Sequence, residues 1–137
     1  MKAALYTANT NSQTVAAGGM LALGSVVRRF GNDRCCNPVI NLVNNGITLN
    51  DPGYYTVSVD VTDLPTAEGP VTVTLYQDGN PVVGAVATNT AGAASAATSI
   101  ALSAIVRVIG CATSTLTAVL TAGAGSVRNV AVSVVKL

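Results

Sequence analysis

The residues with the most obvious chemical capacity are Asp60, Asp63 and Glu68 in the stretch DVTDLPTAEG. Three oxygen donors this close in sequence could hold calcium on a loop. Their spacing lacks the EF-hand pattern, however, and solvated loop charges are the plainer reading, so no metal site is assigned. Cys35, Cys36 and Cys111 are the next candidates. Zinc needs four donors, and with no histidine in the chain the fourth would have to be a carboxylate or a residue of a neighbouring subunit. Three thiols do not make a disulfide framework either, which leaves them as reduced, small, buried hydrophobes. The missing histidine also removes the Ser-His-Asp and Cys-His constellations, so that carboxylates and lysines are the remaining bases. Gly18-Gly19 is followed by no helix carrying a lysine and reads as a turn, not a phosphate cradle. No catalytic, metal or cofactor-binding residue is assigned, and the chain is expected not to be an enzyme.

What does stand out is a shortage of charge. Only 9% of the 137 residues are charged while 50% are hydrophobic, against about 25% charged in ordinary soluble domains. So few charges cover an isolated molecule poorly, and large exposed apolar patches usually mark contact surfaces. Self-association is therefore expected. The net charge is +1, and the cations (Lys2, Arg28, Arg29, Arg34, Arg107, Arg128 and Lys136) are scattered. A groove that tracks phosphates needs several on one face, so no nucleic-acid partner is expected. Even Arg28-Arg29 divides between the two faces of a strand.

The N-terminal run MKAALY is too short for the apolar core of a signal peptide, which leaves synthesis in the cytoplasm of a host cell as the expectation. AASAATSIALSAIV, residues 93 to 106, falls below the length of a membrane helix, and no membrane insertion is expected. The chain length suits one domain over 1–137, with residues 1–19 as N-terminal strands or an attachment arm.

Alternation of period two runs along nearly the whole chain, and no stretch holds a helical stripe. Strands are predicted over 3–7, 12–17, 20–29, 38–43, 46–50, 53–62, 70–77, 81–88, 97–109, 114–122 and 126–136. Turn residues separate them, including Asn44-Asn45-Gly46, Pro52-Gly53, Gly69-Pro70 and Asp78-Gly79. Asp78-Gly79 is a strong hairpin signal, because both residues accept the positive φ of a type I′ turn. The Ala/Gly/Ser/Thr-rich stretch 87–99 is placed on a surface loop. Many short strands with short turns imply an all-β, two-sheet sandwich.

Alternation also divides each strand into two faces. Tyr55, Val57, Val59 and Val61 form one core set, Val71, Val73 and Leu75 another, and Leu116, Ala118 and Leu120 a third. Two strands are apolar on both faces. Ile100, Leu102, Ala104, Val106 and Val108 are backed by Ala101, Ser103, Ile105 and Ile109 around Arg107, and Val130, Val132 and Val134 by Ala131, Ser133, Val135 and Leu137. A sheet covered by protein on both sides has this composition, and without helices the cover must be another subunit.

The segment ITLNDPGYYTVSVDV resembles the tumour-necrosis-factor-like and complement-globular-head-like jelly rolls. The hairpin at Asp78-Gly79, the long strand ending near Arg107 and the last strand at the C-terminus follow the same order. The resemblance implies a ten-stranded sandwich forming a homotrimer through one face of one sheet. It places Tyr54, Thr56, Ser58, Ile105, Arg107, Ser133, Val135 and Leu137 at the trimer interface. LYTANTNSQTVAAGGMLALGSVVRRFG and VTVTLYQDGNPVVGA further resemble short proteins of tailed bacteriophages and prophages. That likeness implies a structural virion protein on the capsid surface, a head decoration or head-fibre component whose partner is the major capsid protein or another virion protein. A receptor- or host-glycan-binding module and the trimerising cap of a spore-surface or collagen-like filament are the alternatives. The absence of tryptophan weighs against a sugar platform, and the absence of a Gly-X-Y run against the filament cap.

Overall fold

A computed structural model describes residues 2–32, 37–110 and 112–137. Cys35, Cys36 and Cys111, the candidate thiol ligands, lie outside the described residues. The strands among the described residues are β1 (Ala4–Asn9), β2 (Gln13–Val15), β3 (Gly19–Met20), β4 (Ser25–Phe30), β5 (Ile40–Val43), β6 (Gly46–Leu49), β7 (Gly53–Pro65), β8 (Gly69–Gln77), β9 (Asn80–Ala91), β10 (Thr98–Val108), β11 (Ser114–Ala122) and β12 (Gly125–Lys136).

Sheet A runs in the order β10-β7-β12-β1-β4 with β2 beside β12, and sheet B in the order β5-β6-β11-β8-β9 with β3 beside β11. Every pairing is antiparallel. The two five-strand paths are the ten strands of the jelly roll, and β2 and β3 are short additions. No helix of the described residues is long and apolar enough to cross a membrane.

The core is what alternation dictates. Tyr55, Val57, Val59 and Val61 of β7, with Val130, Val132 and Val134 of β12, face Val71, Val73 and Leu75 of β8 and Leu116, Ala118 and Leu120 of β11, and all are buried. Each of these valines and leucines contributes about 1.5–3 kcal/mol by leaving water. Asp78 and Gly79 have φ of 52° and 82°, as a type I′ turn requires. The Asp78 carboxylate also accepts hydrogen bonds from the Thr115 amide at 2.9 Å and the Ser114 hydroxyl at 2.8 Å, pinning the β8–β9 hairpin to the start of β11.

Two boundaries differ from the sequence reading. Residues 20–29 are not one strand, because the chain changes sheets there: β3 pairs with β11 and β4 with β1. Leu21 and Leu23 are buried between them, and Gly24 makes the bend at φ 79°, where a Cβ would lie 2.2 Å from the Ala8 carbonyl oxygen. The stretch 87–99 is also less of a loop than its composition implies. β9 continues to Ala91 against β8, with the Thr88 and Thr72 hydroxyls hydrogen-bonded at 2.8 Å. Residues 4–15 enter sheet A as β1 and β2, both paired with β12.

The turn before β7 locks the end of the chain. The Tyr55 hydroxyl donates to the Asp51 carbonyl at 2.5 Å, and the Asp51 carboxylate meets the buried Lys136 ammonium at 2.9 Å. The Leu137 amide donates to the Tyr54 carbonyl at 2.9 Å. Burial, and then the Asp51 charge, push the Tyr55 hydroxyl up to about 12, with its hydrogen bond to the Asp51 backbone pulling the other way. This tyrosine is a neutral strut at all physiological pH.

Asp63 continues the inward phase of Val57, Val59 and Val61 and is fully buried, and neither carboxylate oxygen has a hydrogen-bond partner among the described residues. Burial pushes its carboxyl above the ordinary 3.8, and the nearby Leu64 amide, which falls outside hydrogen-bonding geometry, pulls only weakly the other way. A carboxyl raised in the native state favours folding while protonated. Its contribution is therefore present below the ordinary value and is lost as pH rises through the native one. Asp63→Val is expected to stabilise the protein by about 1–3 kcal/mol at neutral pH and to flatten this pH dependence. Thermal melts of both proteins between about pH 4 and pH 7 check it, and a variant no more stable at neutral pH contradicts it.

Candidate assembly face

Sheet A turns its second face to solvent, and strand register sorts that face into rungs. Arg107 pairs with Tyr54, and Leu137 is bonded to Tyr54. The next rung runs Ile105, Thr56, Val135, Ala4, Phe30, and the one after it Ser103, Ser58, Ser133, Tyr6, Arg28. A further rung carries Ala101, Asp60, Ala131 and Ala8. All eight residues expected at a trimer interface therefore share one face of three adjacent strands.

The rungs grade from apolar to small and polar. Tyr54, Ile105, Val135 and Leu137 are 50%, 62%, 43% and 68% exposed, far above the other valines and isoleucines of the same strands that point inward. The Arg107 guanidinium lies 5.5 Å from the centre of the Tyr54 ring, so the cation caps an aromatic face and does not interrupt the apolar patch. Ser58, Ser103 and Ser133 then form a row of small hydroxyls that lets another surface approach closely. Asp60 is the carboxylate of the rung beyond.

Tyr6 and Phe30 belong to the same surface and escape sequence reading. They come from β1 and β4, whose place beside β12 is a long-range pairing that alternation does not reveal. Tyr6 shares its phase with Ala4 and Ala8 while Leu5, Thr7 and Asn9 point inward, so polarity along ALYTAN gives no local hint. Together with Ala4, Arg28, Ser133 and Val135 these rings border a groove of about 190 Å³.

The carboxylates weighed as a calcium site do not converge. Asp60 and Asp63 lie within β7 on opposite faces, one exposed and one buried, and Glu68 is exposed in the following turn. Among the described residues no three His, Cys, Asp or Glu side chains are grouped to hold a metal. Arg28 and Arg29 divide as expected: Arg28 shares the outer face with Tyr6, and Arg29 turns the other way to donate to the Asn41 side chain at 2.6 Å.

No family model matches the chain. No curated protein matches it in sequence. Solved structures do match it in fold. The globular domain of zebrafish complement 1qA superposes with a TM-score of 0.68 at 13% identity, over 98% of this chain and 95% of that one. Eiger TNF from S. frugiperda gives 0.71 at 14% identity, over 98% and 91%. The vertex protein P5 of phage PRD1 gives 0.59 at 14% identity, over 98% and 96%. At these identities the likeness is one of fold, and that fold is the TNF-like, complement-head-like jelly roll.

Proposed function

We propose that this jelly roll is a structural, non-catalytic virion protein of a tailed phage or prophage, a single domain over 1–137 that works as a homotrimer decorating or projecting from the capsid. The observation that carries the reading is the outer face of sheet A. Tyr54, Ile105, Val135 and Leu137 form a continuous apolar surface on a chain with 9% charged residues. Leaving it in water costs about 25 cal/mol for each Å² of apolar area, and no other element among the described residues covers it. A closed ring of three copies would, with Tyr54, Thr56, Ser58, Ile105, Arg107, Ser133, Val135 and Leu137 in contact with sibling chains. The fold shared with a phage vertex protein supports the virion setting.

Native mass spectrometry is expected to give three times the 13.7 kDa chain mass at micromolar concentration. A monomer under those conditions excludes the trimer. Co-purification with assembled capsids, and release on capsid disassembly, tests the virion setting separately.

A further inference from the structure

Each of the two sheets has two edges, and an edge strand with free N–H and C=O groups is a template for another strand. Three of the four edges are blunted. On β10 the Gln77 side chain donates to the Arg107 carbonyl at 2.9 Å and the Asn89 side chain to the Ser99 carbonyl at 3.1 Å, so sheet B itself caps that edge. β9 has Pro81, which has no N–H, as its second residue, and its Asn89 side chain ties it to β10. β5 has only four residues.

β4 is different. All six of its residues, Ser25–Phe30, are exposed, and it is paired on one side only, with β1, in a register that shifts once at Val27; just past its end the chain returns, with the Val39 amide donating to the Gly31 carbonyl at 3.1 Å. Among the described residues the single side-chain bond to its backbone is made by its own Arg28, to the Val27 carbonyl at 2.9 Å. It carries Val26, Val27 and Phe30 at 38%, 41% and 60% exposure. Arg28 and Arg29 project to opposite faces, Arg29 donating to the Asn41 side chain, and among the described residues neither meets a carboxylate, the ion pair there being Lys136–Asp51.

We infer that β4 is a docking edge for an extended acidic segment of another protein, which adds to sheet A as its next strand. Backbone hydrogen bonds along the free edge supply affinity, and alternating side chains supply selection. Carboxylates on both faces of the incoming strand would meet Arg28 on one side and Arg29 on the other, as cross-strand pairs of opposite charge. A second copy of β4 is a poor occupant, since antiparallel self-pairing gathers four guanidiniums over two neighbouring rungs. The inference concerns the edge of sheet A and not its outer face, and β1 separates β4 from β12, the nearest strand assigned to the threefold contact.

The probes are three eight-residue synthetic peptides: one alternating valine with glutamate and with threonine at both ends, the same with lysine for glutamate, and the acidic one interrupted by a central proline. By fluorescence anisotropy the acidic peptide is expected to bind with a Kd of about 10–300 µM, and the other two at least about tenfold more weakly. Rising salt should weaken the acidic complex. Hydrogen exchange should slow at the amides of residues 25–30 and not on β10, with the solution mass of the assembly increasing only by bound peptide. R28E/R29E should reverse the preference toward the lysine peptide. Equal binding of all three peptides, no binding up to about 1 mM, or binding that leaves exchange over residues 25–30 unchanged overturns the inference. The exchange measurement on the wild-type chain decides the matter even if the double variant folds poorly.

Discussion

Replacing Ile105 and Val135 together by glutamate is expected to leave the sandwich folded and reduce the assembly to monomers. Both side chains flank Thr56 on one rung of sheet A. They are 62% and 43% exposed in the protomer, so within a single chain each change falls among surface substitutions, which cost about 0.5 kcal/mol or less. Around a threefold axis the same changes place six carboxylates in contact, and each ion withdrawn from water without a partner costs several kcal/mol. The two environments therefore predict opposite sizes of effect, and sedimentation equilibrium with circular dichroism separates them. A β-sheet spectrum with one-third of the wild-type mass is the expected pair of readings. A variant that keeps the wild-type mass shows that this rung is not buried between copies.

The second large effect is at the turn that opens β7. Asp51→Ala is expected to destabilise the fold by about 2–3 kcal/mol, below the 3–5 kcal/mol of a fully buried pair. The discount reflects the 28% exposure of the Asp51 side chain, set against 8% for Lys136. Removing the carboxylate takes from a nearly buried ammonium the partner that lies 2.9 Å away. It also loosens a turn whose carbonyl holds the Tyr55 hydroxyl. Lys136 belongs to β12, the strand between β7 and β1, so the effect reaches the centre of sheet A. Urea melts of Asp51→Ala, Lys136→Met and the double variant isolate the coupling, expected at about 1–3 kcal/mol. Strict additivity would mean that the pair is incidental.

These sites differ in how far the sequence discloses them. The phases of β7, β8, β10, β11 and β12 are legible because each is a long run of alternating β-branched and small residues, and a period of two leaves one register that buries the valines. The eight residues named for the outer face come together for that reason: they are the off-phase positions of strands whose core phase is unambiguous. Tyr6 and Phe30 are not legible, since their strands are short and reach the face only through pairing with the distant β12. The switch of sheets at Gly24 is hidden too, because alternation survives when a chain crosses from one sheet to the other. Asp63 is the reverse case: its phase places it inside, yet its chemical type reads as loop charge. The lock between Asp51, Tyr55 and Lys136 joins residues 85 positions apart, from 51 to 136, and only the folded sheet brings them together.

The claim on which the rest depends is that the outer side of sheet A is shielded by sibling chains. Carbene footprinting of the wild-type protein at micromolar concentration, read residue by residue, addresses it directly. Val83, 99% exposed on β9, is a built-in reference for a fully accessible aliphatic side chain. Labelling of Ile105, Val135 and Leu137 is expected to fall about tenfold or more below that of Val83 and to recover on dilution as the interface dissociates. Labelling of all three at the rate of Val83, with no dependence on concentration, would contradict a shared face and leave the molecule a lone jelly roll.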